Sequence, residues 1–339
     1  MKHLKSMLGL LLAAVMVLSL AACGQAEAPA EVVTEAATEA ATEAATEAET
    51  TAAVTETQAE EVTFVDGRGK EVTVKTNPER VVCVYGSYCP LWYECGGSLI
   101  YRIHIYDSYQ PLPEGLQEVP ELGDGNDISA EVILAAEPDL VILNNSKDDI
   151  TMAELLEASG VPCIVYGYKT FEEYVNLVKI FTDITQRPDL YEKYAVEQTE
   201  RINAVRETIG DNSVEAVLIM PSTSGPNFTS ASTMCGSMLL DLNAKLMYYP
   251  DGDITQEKYE FSMEKLLEMD PQYILTAGGG EDQEAASKRV LDLPGFTDLT
   301  AYKEGRYRHL DVSLYMYKPN GRFAEAYEQL AAFLYPDLF

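Results

Sequence analysis

One block of sequence occurs twice, and it limits the folds open to this chain. Residues 128–143 and residues 261–276 follow the same plan, with Ser129 matched by Ser262 and Glu131 by Glu264, 133 residues on. Each copy has a Ser suited to capping a helix, because its hydroxyl accepts an orphan backbone N–H. A Glu follows in the first helical turn, where the helix dipole favours it. A short apolar-striped helix runs up to Pro138 or Pro271. Proline cannot continue a helix and pushes its predecessor out of helical geometry. Consecutive apolar residues then predict a strand covered on both faces. One such block is an ordinary αβ unit. Two copies imply two similar α/β lobes.

The surrounding sequence fits that frame. The alternation in 63–74 around Asp66-Gly67 predicts a hairpin. Strands are predicted at 81–85, 100–103 and 161–166, and helices over 90–95 and 151–159. Strands alternating with helices imply parallel sheets. Residues 171–210 are helical in pattern, broken at Arg187-Pro188. Their second part, 188–210, spans roughly 30 Å as a helix, enough to bridge two lobes. The order then restarts with a strand at 214–220, a polar loop over 221–232 and a helix over 234–242. A helix over 282–292, a strand at 306–310, a loop over 313–322 and an amphipathic helix over 323–334 close the chain. Expected boundaries are 62–187 for the first lobe, 188–210 for the linking helix and 211–339 for the second lobe.

Residues 1–61 stand apart. Lys2, His3 and Lys5 precede a predominantly apolar stretch over 7–20, and Leu20-Ala21-Ala22 leads to Cys23. This is the pattern of a secretory signal over 1–22. With Cys following Leu-Ala-Ala it resembles a bacterial lipobox, which implies that Cys23 is acylated and tethers the mature chain to a membrane. No other apolar run reaches the length of a span. Residues 24–61 hold ten Glu and no Lys or Arg. Thr-Glu-Ala-Ala repeats place like charges four apart and leave no apolar face, so residues 23–61 read as a lipidated Cys and a disordered stalk. The formal net charge of −31 excludes nucleic acid as a partner, since phosphate binding needs clustered Lys and Arg. Cys83, Cys89, Cys95, Cys163 and Cys235 remain after Cys23, an odd number with no CxxC, and read as small buried thiols.

The lipobox and stalk, the 66–74 hairpin, Asn77-Pro78-Glu79-Arg80 and both repeat copies resemble the solute-binding lipoproteins of ABC importers, in the branch for ferric siderophores, haem and cobalamin. The resemblance covers about residues 62–339. It implies a class III fold: two α/β lobes, each with a central mostly parallel sheet flanked by helices, joined by one long rigid helix, with ligand in the cleft between. It also implies that Glu131 and Glu264 dock into the permease of an ABC permease–ATPase partner. Two carboxylates at matched places on two lobes give a two-point electrostatic register. The expected protein is a monomer on the extracytoplasmic face of a bacterial membrane. It has no intrinsic cofactor, and its ligand is a siderophore, haem or a corrinoid.

Ligands of parallel α/β lobes gather at the carboxyl ends of the strands. That rule selects loops carrying Tyr85, Ser87, Tyr88, Asn145, Tyr166, Tyr168, Ser222, Phe228, Gly278, Tyr315 and Tyr317, with Arg322 at the start of the last helix. Tyrosine offers a flat apolar face and a phenol handle. About half of the six Tyr are expected to line the cleft, on loop placement alone. Lys147, Lys169, Lys318 and Arg322 are the basic residues on or beside these loops. No His, Cys and carboxylate cluster has metal-site spacing. Ser87, Ser222 and Cys89 could be nucleophiles, but neither His104 nor His309 sits in a loop constellation with them, so catalysis is not expected. A sensor or adhesion lipoprotein that binds another protein is the alternative.

Overall fold

The computed structural model describes residues 59–105, 111–123, 128–247, 256–278 and 282–339. The signal segment, Cys23, most of the acidic stalk and Gly279-Gly280 lie outside the described residues.

The first strands, β1 (Glu61–Val65) and β2 (Glu71–Lys75), form the antiparallel hairpin. The Asp66 carboxylate holds its turn by accepting from the Arg68 and Lys70 backbone N–H groups at 2.9 and 3.2 Å. β3 (Val81–Cys83), α1 (Tyr88–Glu94), β4 (Tyr101–Ile103), β5 (Glu121–Gly123), α2 (Ala130–Ala135), β6 (Leu140–Asn144), α3 (Lys147–Ala158) and β7 (Cys163–Tyr166) complete the first lobe's α/β run. Its sheet is wholly parallel, in the order β5-β4-β3-β6-β7. β4 lies on one side of β3 and β6 on the other, so strand order reverses at β3.

α4 (Phe171–Ile184) opens with a capping box from Thr170 and Glu173. From Pro188 to Ile209 the chain is helical without a gap, as α5 (Pro188–Tyr191), a π turn (Glu192–Val196) and α6 (Glu197–Ile209). A π turn releases backbone groups from the α ladder. Here the Tyr194 carbonyl accepts from the Tyr174 hydroxyl at 2.9 Å.

The second lobe follows with β8 (Val214–Met220), β9 (Asn227–Thr229), α7 (Met234–Asp241), β10 (Ala244–Leu246), β11 (Lys258–Glu260), α8 (Met263–Met269) and β12 (Tyr273–Thr276). Next come α9 (Gln283–Leu291), α10 (Thr300–Lys303), β13 (Tyr307–His309), α11 (Val312–Tyr315) and α12 (Phe323–Leu334). β10, β12 and β13 run parallel to β8, while β9 pairs antiparallel with β8 on one side and with β11, at the end of the sheet, on the other. β8 divides one edge between two partners, Val214–Ala216 pairing with β10 and Ile219–Met220 with β9. The predicted loops over 221–232 and 313–322 are therefore partly ordered, the first by β9 and the second by α11.

Both repeat copies form the same unit. Ser129 and Ser262 accept from the N–H groups of Val132 and Lys265. Each helix then stops through a left-handed residue before its proline, Glu137 (φ 48°) and Asp270 (φ 37°). Alternate strand residues feed different cores. Val82, Val141 and Val165 face α2 and α3, and Val217, Ile219 and Ile274 lie in the matching outer core of the second lobe. Val81, Cys83, Ile142, Ala216, Leu218 and Leu275 join one core that runs continuously through both lobes with α4, α6 and α12. No helix of the described residues is long and apolar enough to cross a membrane.

Candidate ligand site between the lobes

A cavity of about 310 Å³ lies between the lobes. The first lobe contributes Tyr85, just past the end of β3, and Lys169, in the turn before α4. The second contributes Leu218 and Met220 from β8, Ala277 after β12, and Met234 and Cys235 at the start of α7. Tyr315, Met316 and Lys318 come from the segment that ends α11 and leads to α12, and Thr229, Thr233 and Glu257 complete the wall. The cavity thus sits where β3 and β6 part company in one sheet, and β8 and β12 in the other, at their carboxyl ends. Switch points of this kind are where open α/β sheets hold ligands. A wider groove of about 660 Å³ lies at the opposite, amino ends of β8, β12 and β13, beside the last residues of the chain. That is the wrong end of the sheet for this rule.

Of the six loop tyrosines, Tyr85 and Tyr315 reach the cavity. Both phenols are engaged within the protein: Tyr85 hydrogen-bonds to the Ser87 side chain, and the Tyr315 hydroxyl donates to the Ala326 carbonyl at 2.9 Å. Burial raises the pKa of both, so each stays a neutral phenol at ordinary pH. Tyr88 and Tyr168 are core residues. Helix α1 begins at Tyr88, two residues before the expected Pro90, and that turn carries Tyr88 and Cys89 inward. Tyr85 meets Tyr88 edge-on at 4.7 Å, Tyr88 stacks on Tyr168 at 5.8 Å, and Tyr168 leans on Phe323 at 6.0 Å. These rings form a chain from the cavity wall into the opposite lobe. Tyr166 and Tyr317 are half-buried and outside the cavity wall.

Several other predicted residues hold the frame. Asn320, at φ 49°, accepts from the Tyr168 hydroxyl at 2.7 Å and donates to the carbonyl of buried Ser87 at 2.9 Å. It bridges the lobes just behind the cavity. Asn145 donates to the Gly67 carbonyl and steadies the hairpin. Phe228 alternates inward along β9 and packs on Phe261 at 4.9 Å, because the expected loop is a strand there. Ser222 turns back to the Gly225 carbonyl. Arg322 is engaged by Glu325 at 2.7 and 2.8 Å and by Ser313. Gly278 (φ +99°) adjoins the wall, and a Cβ there would meet the Met316 sulfur at 2.5 Å.

The cavity's thioethers and its carboxylate, Glu257, escaped sequence reasoning. Met220, Met234 and Met316 are apolar in a sequence and read as core; only their common position at strand and helix ends hints otherwise. Lys169 and Lys318 stood on the right loops. In the structure Lys169 pairs with Glu257 across the mouth, joining the two lobes, and its carbonyl accepts from the Ser237 hydroxyl at 2.8 Å. The Cys89 thiol is pushed well up by burial, the opposite of an activated nucleophile. His309 bonds to Thr276, and neither it nor His104 lines the cavity. Among the described residues no group of His, Cys, Asp and Glu is arranged to hold a metal ion.

The two-sheet cavity agrees with comparison to known proteins. The model of the periplasmic binding protein family matches residues 81–314. The chain belongs to that family. An uncharacterized ABC transporter substrate-binding lipoprotein, YvrC, of Bacillus subtilis strain 168 is 24% identical over 292 residues, 84% of this chain and 88% of the relative. A vitamin B12-binding protein of Pectobacterium carotovorum is 23% identical over 211 residues, 62% of this chain and 74% of the relative. Among solved structures, an ABC-type Fe3+-hydroxamate transport system protein of Saccharomonospora viridis superposes with a TM-score of 0.65 at 22% identity. That match covers 80% of this chain and 98% of the other. The periplasmic binding protein fold is therefore present here in its class III form, and the family is one of transport proteins.

Proposed function

We propose that this chain is the membrane-anchored, extracytoplasmic solute-binding component of an ABC importer. It captures an iron chelate, haem or a corrinoid between its lobes and delivers it to the permease and its ATPase. The observation that carries this reading is the cavity at the carboxyl ends of both sheets, walled by Tyr85, Tyr315 and thioethers. Cys23 anchors the chain through lipid, a reading supported by the lipobox-like sequence and by the lipoprotein character of the Bacillus relative. Glu131 and Glu264, both exposed at the starts of α2 and α8, are the permease contacts. The chain works as a monomer and turns nothing over.

The test is binding without chemistry. Trp92 is the single tryptophan, so its emission reports on one place. Titration with ferric siderophores, haemin and cyanocobalamin should give saturable binding to one class, with the ligand recovered unchanged. Failure of every class to bind below high-micromolar concentration would sink the proposal. The absorption spectrum of protein purified from its native host is an independent check, since porphyrin, corrin and ferric charge-transfer bands differ.

A further inference from the structure

The cavity holds a cation that the protein itself does not neutralise. The lining carries Lys169, Lys318 and Glu257. Glu257 pairs with Lys169. Among the described residues no carboxylate lies within ion-pair distance of Lys318. Its ammonium instead donates to the Tyr168 carbonyl and lies 4.0 Å from the centre of the Tyr168 ring. A cation over an aromatic face gains something from the ring quadrupole. That gain does not replace a counter-ion, and an unpaired charge taken out of water is costly. Burial depresses the Lys318 pKa to about 8. The charged groups around it are few. Glu173 on α4 and Glu257 before β11 favour its charge from a distance, and Lys169 opposes it.

Size narrows the choice further. Ligand pockets of drug-sized molecules run from about 300 to 1,000 Å³. This one, at about 310 Å³, is at the bottom of that range. Whatever enters is compact or enters by one edge. The aliphatic and thioether parts of the wall then leave Lys318 as the charged group of the described lining that has no carboxylate paired with it.

Resting on the transport reading above, we infer that Lys318 determines specificity by receiving a carboxylate or equivalent anionic group of a compact ligand. One excess positive charge in the wall matches one such group. A ferric carboxylate chelate and the propionate edge of haem both supply it. A neutral ferric trihydroxamate and a bulky, carboxamide-rimmed corrinoid do not. Because Lys318 leans on Tyr168 of the first lobe, the anion that joins it also bears on the contact between lobes.

The test is a titration of the intact soluble chain and its Lys318→Met and Lys318→Arg variants. The probes are ferric citrate, haemin, ferrichrome and cyanocobalamin, read by Trp92 emission at pH 7 and pH 9. Ferric citrate or haemin should bind, and the two arms tell the sources of the carboxylate apart. Lys318→Met should weaken that binding by roughly 10–100-fold, the range for a hydrogen bond to a charged group. Arg should restore part of it. Wild-type affinity should fall as pH rises through 8, where the ammonium loses its proton, and the Met variant should lack that fall. A cooperative thermal unfolding transition of the Met variant shows that it folds. Binding of ferrichrome or cyanocobalamin, or of any probe with an affinity that Lys318→Met leaves unchanged, overturns the role of Lys318 and leaves the transport reading standing. Absence of binding by every probe overturns the transport reading itself.

Discussion

Glu94 closes α1 at the seam between the lobes, where its carboxylate accepts from the Gly321 N–H at 3.1 Å. Burial pushes its pKa up to about 7, against the pull of that N–H, Lys193 and Arg322. A carboxyl with a raised folded-state pKa binds its proton more tightly than in the unfolded chain. Its contribution to stability is therefore full below about 4.5 and is lost as pH climbs through 7. Glu94→Gln should remove this loss. Urea titrations should show the variant gaining on wild type by up to about 3 kcal/mol between pH 4.5 and pH 8; an equal difference at both pH values would refute the assignment. Gly97 gives a second residue-scale prediction. A Cβ there would overlap the Trp92 indole, so Gly97→Ala should cost about 1–3 kcal/mol and shift tryptophan emission. Neither effect was legible in the sequence. Glu94 reads as an ordinary helical acid, and its hydrogen-bond partner Gly321 is 227 residues away. The same holds for the tyrosines. Tyr85 and Tyr88 stand three apart near one βα junction, and only the early start of α1 decides which faces the cavity and which the core.

Elements were far more legible, because their signals are local. The repeat names its own cap, helix, proline stop and strand, and the structure contains both copies. The strand at 214–220 and the helix at 323–334 have the bounds expected of them. The misses share a cause. β9, β10 and β11 have three residues each and gain their pairing from β8 or from one another, which no local pattern announces. A loop over 221–232 would carry Phe228 into the cleft, whereas β9 turns it inward. The capping prediction belongs at this scale. Ser129→Ala and Ser262→Ala should each cost about 1 kcal/mol in urea-induced unfolding. The caps accept similar bonds, 3.4 and 3.2 Å, so the two losses should be alike, and adding them should give the double variant. A loss confined to one lobe would show that the other cap is idle.

For the whole molecule, the decisive fact is that the two lobes share a core. α12 of the second lobe packs Phe323 against Tyr174 at 4.6 Å and Phe171 at 5.3 Å. Arg201 of α6 grips Glu328 through two bonds, and Gln198 accepts from the Ala324 N–H. Well-packed interiors resist continuous deformation. Such a body presents its surface charges at a nearly fixed separation, whether or not a ligand occupies the cavity. That is the property a two-point docking contact needs, and it is compatible with the docking role proposed for Glu131 and Glu264. Each is also a helix-start acid, favoured by the dipole of its own helix; for Glu131, bonding to Ser129 lowers the carboxyl pKa further. The two roles separate experimentally. A purely structural role predicts that Glu131→Ala and Glu264→Ala lower stability slightly and leave uptake alone. A docking role predicts that ligand affinity stays at wild-type level while uptake by cells falls, further in the double variant than in either single one. Charge reversal to Lys at both positions should deepen the loss, because like charges facing a cationic permease pocket repel. Uptake equal to wild type in the double alanine variant would remove both residues from the docking surface.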